Sequence, residues 1–100
     1  GDVVALNSGT TNTVLAQEMS GFNLKFTVVT NNYAALSILM QNPAIRLIAV
    51  GGTVDPLERS TYGNVCEREF AAYRPDLAFL SINASTIRTA IQIFVWMRLG

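Results

Sequence analysis

Short runs of consecutive apolar residues alternate along this chain with segments in which apolar residues recur three or four positions apart. The runs, rich in valine and isoleucine, are typical of strands buried on both faces, and the wider spacing is typical of amphipathic helices. The pattern predicts strands over residues 3–6, 24–30, 45–50 and 76–80, and helices over residues 11–19, 33–41 and 62–73. This order indicates an α/β fold, a three-layer Rossmann-like domain with a mostly parallel sheet.

Two segments fall outside this alternation. Residues 51–61 contain Pro56 among charged residues and are predicted to form a long irregular loop, of a kind that often contacts a ligand or a neighbouring subunit. Residues 87–100 place apolar side chains such as Ile91 and Phe94 at helical spacing and predict an amphipathic helix with a broad apolar face. A face of this kind has to be covered, and we expect a second subunit to cover it.

The composition limits the size and the partners of the chain. One hundred residues, half of them hydrophobic, are enough for one packed core and predict a single domain. Seven acidic and seven basic residues give no net charge, and no basic cluster is present, so we do not expect direct binding to DNA. No apolar stretch predicts a membrane helix, and the first residues lack the pattern of a signal peptide.

The content of cysteine and histidine limits the compartment and the chemistry. A single cysteine, Cys66, and the absence of histidine fit a reducing cytoplasm and argue against zinc sites and Ser-His triads. Cys66 lies on a predicted helix and is expected to be a small buried hydrophobic residue without a catalytic role. No metal, cofactor or catalytic residue is therefore predicted.

Small polar residues and glycines follow each predicted strand. Because ligands of open parallel sheets bind outside the carboxyl ends of the strands, where the strand order reverses, we expect these residues to converge on one edge of the sheet. The four clusters span residues 7–11, 30–32, 51–52 and 81–83.

The first cluster is the most informative. The turn Ser8-Gly9-Thr10-Thr11 leads into a predicted helix, whose first backbone N–H groups and neighbouring hydroxyls suit an anion such as a phosphate. The alternative is that Ser8 or Thr10 is an ordinary helix cap, a position for which both residue types are favoured without any ligand.

The other clusters allow two interpretations as well. Asn31 is expected either to bind a sugar hydroxyl or to cap the next helix. The pair Gly51-Gly52 could let the backbone approach a ligand, or it could serve a turn that needs a positive φ. Among the arginines, Arg59 is the first candidate for a phosphate contact, ahead of Arg68 and Arg74.

Five segments together form a pattern that resembles a known family, the sensor domain of the DeoR family. They are the sequence NSGTT at residues 7–11, LKFTVVTN at 24–31, Gly51-Gly52-Thr53 with Pro56, Gly63 with Glu67, and DLAFL at 76–80. Their order and spacing carry the resemblance, which runs over about residues 2–83.

The resemblance implies a fold similar to that of ribose-5-phosphate isomerase and a role in a repressor of carbohydrate operons. In such a protein an N-terminal winged helix-turn-helix, absent from this chain, binds the operator, and the sensor binds a phosphorylated sugar. The resemblance implies that the ligand pocket contains Asn7, Ser8, Gly9, Thr10, Thr11, Asn31, Gly51, Gly52 and Asn83.

The chain departs from the family pattern at several positions, which leaves the identity of the sugar open. Asn7 stands where an aspartate is common, Asn12 where a third threonine is usual, Leu77 where a lysine is usual, and Ser81 and Ala84 where glycines are usual. The tail departs most, because it contains no acidic residue and lacks the further helix and strands of the family. We therefore expect the domain to be incomplete.

Three functions compete at this point. The first is an effector-binding regulatory module, which is expected to form a homo-oligomer and whose ligand shifts a conformational or oligomeric equilibrium of the intact repressor. The second is a sugar-phosphate isomerase, which needs a carboxylate base; Asp55, Glu58 and Asp76 are the acids expected near the ligand edge. The third is a dimerisation module without a ligand.

Overall fold

A computed structural model describes the backbone of residues 2–84 and 91–98 and the side chains of residues 2–79. Its strands and helices alternate as the sequence predicts, with three additional strands. The elements are β1 (Val3–Leu6), α1 (Thr10–Met19), β2 (Phe26–Thr30), α2 (Tyr33–Leu39), β3 (Ile45–Ala49), β4 (Thr53–Asp55), β5 (Ser60–Tyr62), α3 (Asn64–Ala72), β6 (Leu77–Ala84) and β7 (Ile91–Arg98).

The main sheet has five strands in the order β3-β2-β1-β6-β7. The first four are parallel, with β1 between β2 and β6, and β7 is antiparallel to β6. The short antiparallel pair β4-β5 forms a separate sheet. These pairings confirm the predicted α/β class and the mostly parallel Rossmann-like sheet.

Alternate side chains of the parallel strands enter two different cores. On one face Val4, Leu6 and Val28 pack with Ala16 of α1 and Leu39 of α2. On the other face Val29 and Val50 form a second cluster with Cys66, against which Val3, Ile48 and Phe70 pack. Two-sided burial explains why the strands are apolar at consecutive positions, and it gives the three layers that the sequence predicts.

The predicted loop over residues 51–61 is wrong, because β4 and β5 form a hairpin there. Asp55 closes its turn by accepting hydrogen bonds through Oδ1 from the N–H groups of Leu57 and Glu58, at 3.1 and 3.2 Å. Arg59 completes the turn with a φ of 52°. The strands are short and mostly exposed, so their hydrophobic pattern is too weak to predict them.

The helix predicted over residues 87–100 is wrong where the structure describes it. Residues 91–98 form β7, which pairs with the whole of β6 from Leu77 opposite Arg98 to Ala84 opposite Ile91. The apolar residues at 91, 93, 94 and 95 fit the spacing of a helix and that of a strand. Pairing with the edge of β6 stabilises the strand. Residues 85–90, 99 and 100 lie outside the described residues.

The boundaries of the remaining elements differ from the predicted ones by a few residues. Strand β2 begins at Phe26, since Leu24 is largely exposed, and α3 begins at Asn64. Strand β6 continues to Ala84, farther than predicted, because β7 pairs with its second half. Within the described residues, no helix is both long enough and apolar enough to span a membrane.

Candidate functional site

The point where the strand order reverses lies beside β1. The chain leaves β1 towards β2 on one side, and β6 later pairs with the opposite side of β1. Connections from the carboxyl ends of these strands therefore diverge at this place and leave a crevice between them, where ligands of open α/β sheets bind.

A cleft of about 450 Å³ occupies this place. Asn7 and Ser8, which follow β1, and Asn31, which follows β2, line it together. The rest of its wall comes from the β4-β5 hairpin, the first turns of α3 and the intervening Gly63. The cleft thus brings together three of the residues that the sequence predicts for a ligand site.

The first turn of α1 adjoins this cleft through Ser8. Gly9 is the N-cap residue, with a φ of 122°, and as a glycine it makes no side-chain capping hydrogen bond. Hence the alternative that Ser8 or Thr10 caps α1 is wrong. A ten-residue helix directs the positive end of its dipole outwards from its first turn, as an anion requires. Thr10 is exposed at this end, and Thr11 is half-buried.

Asn12 joins α1 to the ends of two strands. It is fully buried, and its Nδ2 lies 3.2 Å from Asn7 O, 2.5 Å from Asn7 Oδ1 and 3.0 Å from Phe79 O. The amide thus bridges the carboxyl end of β1 and the facing residue of β6. The sequence indicates this role only by a polar residue on the inner face of a helix. The comparison with the family pattern, in which a threonine is usual at position 12, does not predict it.

The cluster after β2 divides its roles between two asparagines. Asn32 caps α2 by accepting a hydrogen bond from the N–H of Ala35 at 3.0 Å, and its Nδ2 donates to Thr13 Oγ1 at 3.0 Å. Asn31 therefore does not cap the helix. Its Nδ2 instead donates to the carbonyl of Thr61 at 2.6 Å, which leaves this side chain in the wall of the cleft.

Main-chain hydrogen bonds hold the hairpin over the strand ends. The N–H of Thr61 donates to Asn31 O at 3.1 Å, and the N–H of Tyr33 donates to Arg59 O at 2.8 Å. The hydroxyl of Thr61 adds a bond to Val50 O at 3.0 Å. The hairpin is therefore fixed to the carboxyl ends of β2 and β3.

Replacing Thr61 by Val tests this attachment, because it removes the buried hydroxyl at nearly constant volume. We expect the free energy of unfolding to fall by about 1 kcal/mol, and the Tm to fall by roughly 5 °C. Circular dichroism during thermal unfolding measures the change, and Thr53→Val, at an exposed position of β4, is the matched control. Equal Tm values for the two variants would contradict the attachment.

The glycines after β3 serve the backbone rather than the cleft wall. Gly52 has a φ of 131°, and an added Cβ would lie 2.7 Å from Tyr62 O and 3.1 Å from Cys66 Cβ. The N–H of Gly51 donates to Glu69 Oε2 at 3.1 Å. Neither glycine lines the cleft, so a contact between this pair and a ligand stays a prediction. Asn83 lies in β6 opposite Gln92, and its side chain is outside the described residues.

The charged residues of the cleft are all acidic. Asp55 and Glu58 of the hairpin and Glu67 of α3 line it, and none of the described lining residues is basic. Asp76 does not belong to this group, contrary to expectation, because it precedes β6 and accepts a hydrogen bond from the N–H of Val3 at the amino ends of the strands, at 2.8 Å. Glu67 was missed because the hairpin that brings α3 over the strand ends was not predicted.

A larger groove of about 520 Å³ lies at the amino ends of the strands. Apolar side chains, including Met19, Phe22 and Leu77, form most of its wall, and Asp2 and Lys25 are its only charged lining residues among those described. It lacks the convergent polar groups that orient a small polar ligand. The smaller cleft at the carboxyl ends is therefore the better candidate site.

Comparisons with known proteins identify the family to which the chain is similar. The family described as the DeoR C terminal sensor domain matches residues 1–95. The uncharacterized HTH-type transcriptional regulator YgbI of Escherichia coli (strain K12) is 30% identical over 88 residues, which are 88% of this chain and 34% of that protein. The chain thus spans about a third of the length of this curated relative. No solved structure matches the chain with significance.

Proposed function

This chain belongs to the DeoR C terminal sensor domain family, and we propose on that basis that it senses a phosphorylated sugar for a transcriptional repressor of carbohydrate metabolism. The observation that carries the proposal is the convergence of Asn7, Ser8 and Asn31 on one cleft beside the start of α1. A phosphate at that helix end and a sugar ring in the cleft would use both parts of the site together.

The two parts suit the two ends of such a ligand. The start of α1 offers the positive end of the helix dipole and the exposed hydroxyl of Thr10 to a phosphate. The cleft offers amide and carboxylate oxygens from Asn31, Asp55 and Glu58, which accept hydrogen bonds from sugar hydroxyls. Further contacts from Gly9, Thr11, Gly51, Gly52 and Asn83 are part of the same proposal.

Contact with DNA belongs to a different part of the proposed repressor. This chain has no net charge, and the family relative is by its name an HTH-type regulator that is longer than this chain. We propose that a helix-turn-helix domain outside residues 1–100 binds the operator in the cytoplasm, and that the sensor forms homo-oligomers. The effector then acts by binding one conformational or oligomeric state more tightly than the other.

Thermal unfolding against a panel of sugar phosphates tests the proposal. A sugar phosphate at about a hundred times its Kd stabilises the folded state by about 2.7 kcal/mol, so we expect the Tm to rise by several degrees or more. The free sugars and inorganic phosphate serve as ligand controls. Thr10→Trp, which blocks the start of α1, should abolish the shift.

Gln17→Trp is the matched variant, because it adds the same side chain at an exposed position of the same helix away from its start. It should retain the shift. If no sugar phosphate raises the Tm of the folded chain, the sensor proposal is wrong. A dimer measured by analytical ultracentrifugation would then favour a dimerisation module.

One observation supports the second candidate, a sugar-phosphate isomerase. Asp55, Glu58 and Glu67 place carboxylates in the cleft, and isomerisation requires a general base. Proton exchange from the carbon next to the carbonyl of a bound ketose phosphate, followed by NMR in deuterated water, distinguishes the two functions. Exchange that Glu67→Gln abolishes would support the enzyme, and binding without exchange supports the sensor.

A further inference from the structure

Besides hydroxyl groups, which can donate or accept, the cleft presents a buried acceptor that has no partner among the described residues. Asn31 is only 7% exposed, its Nδ2 is already bonded to Thr61 O, and its Oδ1 has no partner among the described residues. The buried atom left without a partner, Oδ1, is an acceptor. A buried acceptor without a partner costs free energy unless a ligand or water donates to it.

The charges of the cleft point in the same direction. Asp55, Glu58 and Glu67 face it from the hairpin and from α3, on two different elements, and no basic side chain of the described residues lines it. Carboxylates accept hydrogen bonds and donate none at neutral pH. The wall therefore attracts donors and cations and repels a second anion.

We propose that this cleft selects effectors whose non-phosphorylated end carries hydrogen-bond donors and no negative charge, with an ammonium group preferred over a hydroxyl. The inference rests on the proposed function, which places the phosphate at the start of α1. It adds a class of ligand, the amino sugar phosphates, and it names Glu58 and Glu67 as residues that determine specificity.

Isothermal titration calorimetry of the full chain with matched probes tests this preference. The probes are glucose 6-phosphate and glucosamine 6-phosphate, galactose 6-phosphate and galactosamine 6-phosphate, and 6-phosphogluconate, whose carboxylate adds a negative charge. We expect the amino member of a pair to bind about threefold to tenfold more tightly than its hydroxyl counterpart, since exposed charges each contribute a modest factor. The preference should shrink at high salt, and 6-phosphogluconate should bind most weakly.

The double variant Glu58→Gln/Glu67→Gln removes two charges without removing a hydrogen bond that either side chain makes within the described residues. This variant should bind the amino and the hydroxyl member of each pair with about equal Kd values, because both ionic contributions are lost. Glu18→Gln neutralises an exposed carboxylate of α1 outside the cleft and should leave the preference unchanged.

The outcomes separate this inference from the function on which it rests. Equal Kd values within each pair, or a preference that Glu58→Gln/Glu67→Gln does not alter, would overturn the inference and leave the sugar-phosphate sensor standing. No binding by any of the sugar phosphates would overturn the proposed function and the inference together.

Discussion

Replacing Asn12 by Asp is expected to destabilise the protein by about 4 kcal/mol at neutral pH. The side chain at this position is fully buried, and its amide faces Asn7 O, Asn7 Oδ1 and Phe79 O. A carboxylate would direct negative charge at these oxygens, so it would be protonated in the folded state. Holding a group with an unfolded pKa of about 3.9 in its neutral form at pH 7 costs about 1.4 kcal/mol for each pH unit between the two values.

The destabilisation should depend on pH in a defined direction. Burial and the facing oxygens raise the pKa of the introduced carboxyl above its unfolded value. The variant therefore keeps its stability below about pH 4 and loses it as the pH rises towards the raised pKa. Urea unfolding of variant and parent at pH 4 and pH 7 measures the difference between them.

Gln17→Glu provides the control, since it introduces a carboxylate on an exposed face of the same helix. Its stability should stay within about 0.5 kcal/mol of the parent at both pH values. The free energy of unfolding of Asn12→Asp could instead be close to that of the parent at pH 7, or the difference could grow as the pH falls. Either result would show that Asn12 does not make the buried bridge.

Gly52→Ala is expected to destabilise the protein by about 3 kcal/mol, with a fall in Tm of more than roughly 10 °C. Two effects add at this position. A φ of 131° is unfavourable for any residue with a Cβ, and that Cβ would meet Tyr62 O at 2.7 Å and Cys66 Cβ at 3.1 Å. Tyr62 O and Cys66 belong to the hairpin and α3, so relief of the contact would displace the cleft wall.

Two other glycines separate the effects. Gly63 has a φ of 101° but open space around its Cβ position, and Gly21 has neither a positive φ nor a contact closer than 3.6 Å. Gly63→Ala should therefore cost about 1–2 kcal/mol from strain alone, and Gly21→Ala less than about 0.5 kcal/mol. Differential scanning calorimetry ranks the three variants, and a Gly52→Ala variant as stable as Gly63→Ala would mean that the contact is absent.

The repeating part of the fold could be predicted from the sequence because its pattern is set locally. Strands that are apolar at consecutive positions, as at Val28 and Val29, can only be buried on both faces, and helices must then form the two outer layers. The hairpin and β7 could not be predicted in the same way. The stability of β4-β5 comes from main-chain bonds to residues Asn31 and Tyr33, which are distant in sequence, and β7 owes its conformation to the edge of β6.

The candidate site likewise contains residues that the sequence predicts and residues that only the tertiary structure brings to the cleft. Asn7, Ser8 and Asn31 could be predicted because the ends of parallel strands meet at one edge, whatever the details of the loops. Of the acidic wall, Asp55 and Glu58 are expected near this edge from the sequence, and Glu67 is not, because it reaches the cleft only through the path of the hairpin. For Asn12, the sequence shows a polar residue in a helix, but the acceptors of its Nδ2 lie just after β1 and on β6, and only the tertiary structure brings them together.

Gly52 and Gly63 connect the two ends of the β4-β5 hairpin to the rest of the domain, and both have positive φ values. Between these points its placement rests on main-chain bonds and on the side-chain bonds of Asn31, Asp55 and Thr61. The frame of the cleft and part of its chemical selectivity are therefore separable: Glu58, whose side chain makes no hydrogen bond within the described residues, can be exchanged while Asp55 and the two glycines keep the hairpin in place. A sensor built in this way acquires a new effector by altering a few side chains and leaves the sheet beneath them as it is.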